Sequence, residues 1–85
     1  MRSIIEQQCT KFIVRNPRIL DGEPTVKGSR ISVRAIVELH RLYPDLNYLR
    51  EAFPSISTEA IVDALAFYEG NREEIDRYIE ENSFE

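Results

Sequence analysis

The 85-residue chain has one cysteine, one histidine, no tryptophan and only three glycines. Each scarcity excludes something. A lone Cys9 cannot close an internal disulfide, so nothing covalent staples the fold, and a single thiol fits a reducing compartment. A lone His40 rules out an H-E-x-x-H zinc pattern. No apolar run approaches the roughly 20 residues that span a bilayer, and no secretory leader is legible. The expectation is a cytoplasmic protein without a membrane partner. A chain this short is one domain and buries only about 60–65% of its unfolded surface. Thinly cored domains gain stability by oligomerising, so a homodimer is expected.

Charge is present but unevenly spread. The net charge of −4 divides into +4 over residues 1–41, with eight basic groups against four acids, and −8 over residues 42–85, with three against eleven. An anion suits the first half and a basic protein surface the second. The bland alternative for the second half is that acids solvate helix faces.

Along the chain, "KFIVR" (11–15) is short, β-rich and bounded by Asn16-Pro17, which reads as a strand. "RIL" and "TV" flank Asp21-Gly22, a dipeptide that favours positive φ and tight hairpins, while Pro24 limits the element to a short edge ribbon. From Ser32, a good N-cap, the period becomes helical through Val33, Ile36, Val37, His40 and Tyr43. Asp45 heads a second helix, "LNYLREAF", which Pro54 ends. Ser57 heads a third, with Ile61, Leu65 and Tyr68 in one line beside Val62 and Ala66 and with Gly70 at the left-handed stop position. Asn71 and Glu74 suggest a capping box on a fourth helix bearing Ile75, Tyr78 and Ile79. The fold class expected is mainly α: a β-ribbon and turn (11–31), a helix-turn-helix trihelical core (32–70) and a C-terminal helix (71–82).

The stretch "DGEPTVKGSRISVRAI" (21–36) invites a phosphate-loop reading and fails it. Lys27 precedes Gly28, whereas a nucleotide loop needs Lys and Ser/Thr after its last glycine. A weaker anion site is available where Lys27, Arg30 and Arg34 lie near the start of the first helix. Together with Lys11, Arg15 and Arg18 these are the candidate DNA contacts, against the alternative of solvated side chains beside a structural turn. The third helix carries Glu59, Asp63 and Glu69 and no basic residue, which suits a core or interface better than base reading. No catalytic set is suggested by spacing, and no metal or cofactor is expected; Glu73, Glu74, Asp76, Glu80 and Glu81 spread around a helix. His40 fits a core-edge or interfacial place, and the aromatics suit the core. Phe84, apolar beyond the last helical turn, is either frayed or a docking residue.

"NPRILDGEPTVKGSRISVRAIVELH" followed by "LREAFPSISTEAIVDALAFY" resembles the bacterial and archaeal family called domain of unknown function 433. The matching positions are Gly22, Pro24, Val26, Gly28, Arg30, Ile31 and Val33, then Phe53, Pro54, Ile56 and Ser57, then Ile61, Ala64, Leu65 and Tyr68. The resemblance implies a homeodomain-like helix-turn-helix domain. It also implies an antitoxin that binds and neutralises a cognate PIN-like toxin, a ribonuclease, with repression of its own operon as an optional second action. Glu23, Lys27 and the corner "RLYPDLN" depart from the family pattern, which usually has a glycine in that corner.

The expectation is therefore a dimeric antitoxin of a type II toxin–antitoxin system, not an enzyme. Glu73, Glu74, Glu80 and Phe84 are its candidate toxin contacts. The rival is a stand-alone DNA-binding transcriptional regulator reading operator DNA through the basic ribbon.

Overall fold

The computed structural model describes residues 10–82. Phe84 and Cys9 lie outside the described residues. The β-branched run at the start forms strand β1 (Ile13–Arg15), which pairs antiparallel with β2 (Pro24–Val26). Ile13 stands opposite Val26, Val14 opposite Thr25, and Arg15 opposite Pro24. Pro24, lacking an N–H, thus occupies the end of the ladder, where a missing donor is tolerated.

The expected tight hairpin at Asp21-Gly22 does not form, and "RIL" is not a strand. The Asn16 side-chain oxygen accepts from the Arg18 N–H at 2.9 Å, turning the chain before it can extend. A 3-10 turn at Leu20–Gly22 then completes a broad connection, with φ of 51° at Leu20, 56° at Asp21 and 89° at Gly22. The positive φ read from Asp21-Gly22 is present, and Leu20 shares it.

Beyond β2 the chain reverses again. Gly28 has a φ of 81°, the Val26 N–H donates to the Ile31 carbonyl at 2.8 Å, and Ser32 bridges back to Thr25. The glycine-rich stretch is a structural turn that delivers the chain into helix α1 (Val33–Leu42). Ser32 caps it, its hydroxyl accepting from the Ala35 N–H at 2.9 Å. Helix α2 (Leu46–Ala52) starts at Asp45, whose carboxylate accepts from the Asn47 N–H. Helix α3 (Thr58–Gly70) starts at Ser57, which accepts from the Ala60 N–H at 3.1 Å.

The join to α4 (Arg72–Glu81) differs from expectation. Gly70 keeps helical geometry and is the last residue of α3, not a left-handed stop. Asn71 ends the helix instead, and its side-chain N–H donates back to the Phe67 carbonyl at 2.9 Å. That bond takes Asn71 away from α4, and the Glu74 carboxylate is held by Arg15, so no capping box forms.

The molecule is mainly helical, with a two-stranded N-terminal sheet. Helix α1 is its centre, touching α2, α3, α4 and β2, while β1 lies against α3. Buried Val33, Ile36 and Val37 of α1 meet Leu49 of α2, Ile61, Ala64 and Phe67 of α3, Ile75 of α4 and Ile13 of β1 in one cluster. Phe53, Tyr68 and Tyr78 pack at its margin. Two aromatics expected inside are not there: Tyr43 and Tyr48 project into solvent at the α1–α2 corner. Pro44 stands two residues after Leu42, the last residue of α1, so Tyr43 leaves the helical stripe before it can turn inward.

Candidate protein-binding groove

Helix α3 has apolar residues on two sides. Ala60, Ile61, Ala64 and Phe67 face the core. Val62 and Ala66, one turn apart, face outward, and Val62 is 49% exposed. The chain entering β1 runs beside this outer face and is fastened to it by Asp63. The Asp63 carboxylate accepts from the Thr10 hydroxyl and, at 3.3 Å, from the Phe12 N–H. The Thr10 hydroxyl oxygen in turn accepts from the Ile13 N–H at 3.1 Å. Phe12 is thereby held against α3, with the Lys11 ammonium 5.4 Å from its ring centroid.

The result is an open groove of about 410 Å³ lined by Lys11, Phe12, Thr58, Glu59, Val62, Asp63 and Ala66. Its apolar lining is Phe12, Val62 and Ala66, and Glu59 adds an exposed carboxylate. Such a surface removes a partner's apolar side chain from water and offers negative charge to a basic neighbour. Glu69 of α3 and Glu73, Glu80 and Glu81 of α4 are also exposed acids on the same helical half of the molecule.

The residues singled out in the sequence divide into two groups. Arg15 is a structural cation: its guanidinium makes a two-pronged pair with Glu74, at 2.6 and 2.9 Å, and lies 5.7 Å from the Phe67 ring. Tyr78 donates to the same carboxylate at 2.8 Å. The hydrogen bonds from Arg15 hold the Glu74 carboxyl below the ordinary glutamate range, against the opposing effect of burial. Burial, and then donation to Glu74, pushes the Tyr78 phenol up. Glu74 is therefore a tie between β1 and α4. Arg34 is likewise engaged, with Glu23 at 3.0 Å and Glu38 at 3.8 Å. Lys11, Arg18, Lys27 and Arg30 are exposed, as are Glu73 and Glu80.

A second, polar groove lies between α2 and the start of α3, lined by Asn47, Arg50, Glu51, Pro54, Ile56, Ser57 and Thr58. Arg50 donates to the Asn47 side-chain oxygen at 3.3 Å. Nothing in the local sequence pattern singles out Arg50, although its place four residues before Pro54 puts it beside the third helix's N-terminus. Phe12 and the outward direction of Val62 are likewise unmarked in the sequence. Val62 follows directly on Ile61, and on a helix successive residues are about 100° apart, so a core-facing Ile61 turns its neighbour away.

A family model described as protein of unknown function (DUF433) matches residues 13–68, from β1 to near the end of α3. A similar solved structure is that of a DUF433 member protein from Anabaena variabilis, 27% identical, with a TM-score of 0.76. The alignment covers 86% of this chain and 72% of that one. No curated protein matches. Helix α4 lies outside the matched stretch, and the Arg15–Glu74 pair joins it to β1 within that stretch.

Proposed function

This chain belongs to the DUF433 family, and we propose that it is a cytoplasmic protein-binding module, the antitoxin of a type II toxin–antitoxin pair. Its partner is a PIN-like ribonuclease, neutralised by direct contact rather than by any chemistry of its own. The observation that carries the protein-binding class is the second apolar side of α3: exposed Val62 and Ala66 with half-buried Phe12 line one groove together with the Glu59 carboxylate. A nuclease that binds RNA presents basic surface, which complements this carboxylate and the exposed Glu69, Glu73 and Glu80. The ribonuclease identity of the partner rests on the family resemblance carried by Gly22, Pro24, Gly28 and Arg30 and by Pro54, Ile56 and Ser57.

The rival reading, a stand-alone regulator, is favoured by a different observation. Arg50 stands beside the N-terminus of α3, where backbone N–H groups and a guanidinium could meet a DNA phosphate together. Glu51 lines the same groove and opposes that use. With Arg15 and Arg34 drawn into internal pairs, the ribbon retains Lys11, Arg18, Lys27 and Arg30 for phosphate. Operator binding is therefore placed second to toxin binding.

Purification of the tagged chain from its native host, with mass spectrometry of stoichiometric companions, tests the choice. A small PIN-like ribonuclease in the eluate is the expected result. The chain alone, retaining a defined DNA through a high-salt wash, would transfer the assignment to the regulator.

A further inference from the structure

The corner between α1 and α2 has no role in the proposed toxin contact. Residues 41–48 are all exposed. Four of them are large and apolar or aromatic: Leu42 is 71% exposed, Tyr43 49%, Leu46 39% and Tyr48 40%. The Tyr43 and Tyr48 rings lie against each other, centroids 4.4 Å apart and planes tilted by 34°. Each ring is thus held in one orientation while much of it faces water. Aromatics already ordered before contact lose little entropy on binding, which suits the middle of an interface.

We infer that this corner is the surface through which two copies of the chain associate about a two-fold axis. A two-fold contact sets the same surface against itself, so it must be complementary to its own chemistry. Over most of the helical half like charge opposes that, because residues 42–85 carry a net charge of −8. The corner is the exception. From Leu42 to Leu49 the only ionisable carboxylate is Asp45, and it accepts the Asn47 N–H at 3.0 Å as the cap of α2. There is no Lys or Arg in that stretch. Two corners therefore meet largely apolar on apolar, with one carboxylate from each copy, Asp45, already engaged as a helix cap.

The same neutrality sets the corner apart from the other two partners. A basic nuclease surface finds no acid cluster there, and the cations Arg41 and Arg50 stand only at its edges. The area fits a pair of copies as well. The four side chains expose on the order of 400 Å², the size of patch that is commonly functional on a small protein. That is about half of the roughly 800 Å² each partner contributes to a stable interface, leaving the polar remainder to a rim such as Arg41, Asn47 and Arg50. Because the corner is separate from the Phe12–Val62–Ala66 groove, a dimer leaves that groove open on each copy.

Sedimentation of the full chain over a range of concentrations tests the assignment. The expected result is a concentration-dependent species of twice the 9.9 kDa chain mass. Leu42→Arg and Tyr48→Ser should each weaken association at least roughly tenfold. Far-ultraviolet circular dichroism should report an unchanged helix content, since both side chains are outside the core. Val62→Arg should leave the dimer intact. A monomer up to roughly 200 µM, well above the range of stable interfaces, would overturn the inference. So would a dimer indifferent to both corner substitutions, or one lost equally in Val62→Arg.

Discussion

Arg15 and Glu74 are 59 residues apart in the chain and make the tightest ionic contact between the sheet and the last helix. Both side chains are about four-fifths covered, so water screens them less than it screens the half-exposed Arg41–Asp76 pair. Glu74→Gln keeps the shape and removes the charge from an acceptor that serves Arg15 and Tyr78 at once. We expect a loss of about 1–2 kcal/mol in urea unfolding at pH 7. The pH dependence follows from the sign of the shift. The folded-state carboxyl titrates below its unfolded value, so its stabilisation is full above the ordinary glutamate range near pH 4.3 and is lost as pH falls through the lower folded value. The stability gap between wild type and Glu74→Gln should accordingly hold between pH 6 and 8 and close toward pH 3. A gap that stays constant to pH 3 would show that charge is not what the pair contributes.

Among the elements, the starts of the first three helices were legible because each has a single local cause. Ser32, Asp45 and Ser57 cap as their types and positions suggest. The join between α3 and α4 was less legible, because its residues have competing partners elsewhere in the fold. Gly70 lost the stop position to Asn71, which reaches back to Phe67, and Glu74 abandoned its own cap for Arg15. The groove was half legible. The acids Glu59 and Asp63 stood out, but Phe12 reaches α3 only through the tertiary bond from its N–H to Asp63. The two glycines that remain helical and non-helical give a sharp comparison. Gly70→Ala, inside α3 with no neighbour in the way of a methyl, should stabilise by up to about 1 kcal/mol. Gly28→Ala has equal space, yet its φ of +81° should make it destabilising by about 1–2 kcal/mol. Thermal unfolding of the two variants reads the difference directly, and a destabilised Gly70→Ala would restore the left-handed stop.

As a whole molecule, the chain separates its surfaces by chemistry. The exposed cations Arg18, Lys27 and Arg30 belong to the ribbon and its turns, the acids Glu59, Glu69, Glu73 and Glu80 to α3 and α4, and the neutral aromatics to the corner. Among the described residues no helix is long and apolar enough to cross a membrane. We propose that α3's outer groove takes a ribonuclease partner. The most direct test is a titration of the purified, co-purifying ribonuclease with wild type and with Val62→Arg, reading both affinity and inhibition of RNA cleavage. Val62 is half exposed, so the fold should tolerate the change. The account predicts inhibition by wild type, weakened at least roughly tenfold by Val62→Arg and further by added salt. Equal affinity and inhibition for the two proteins would contradict it.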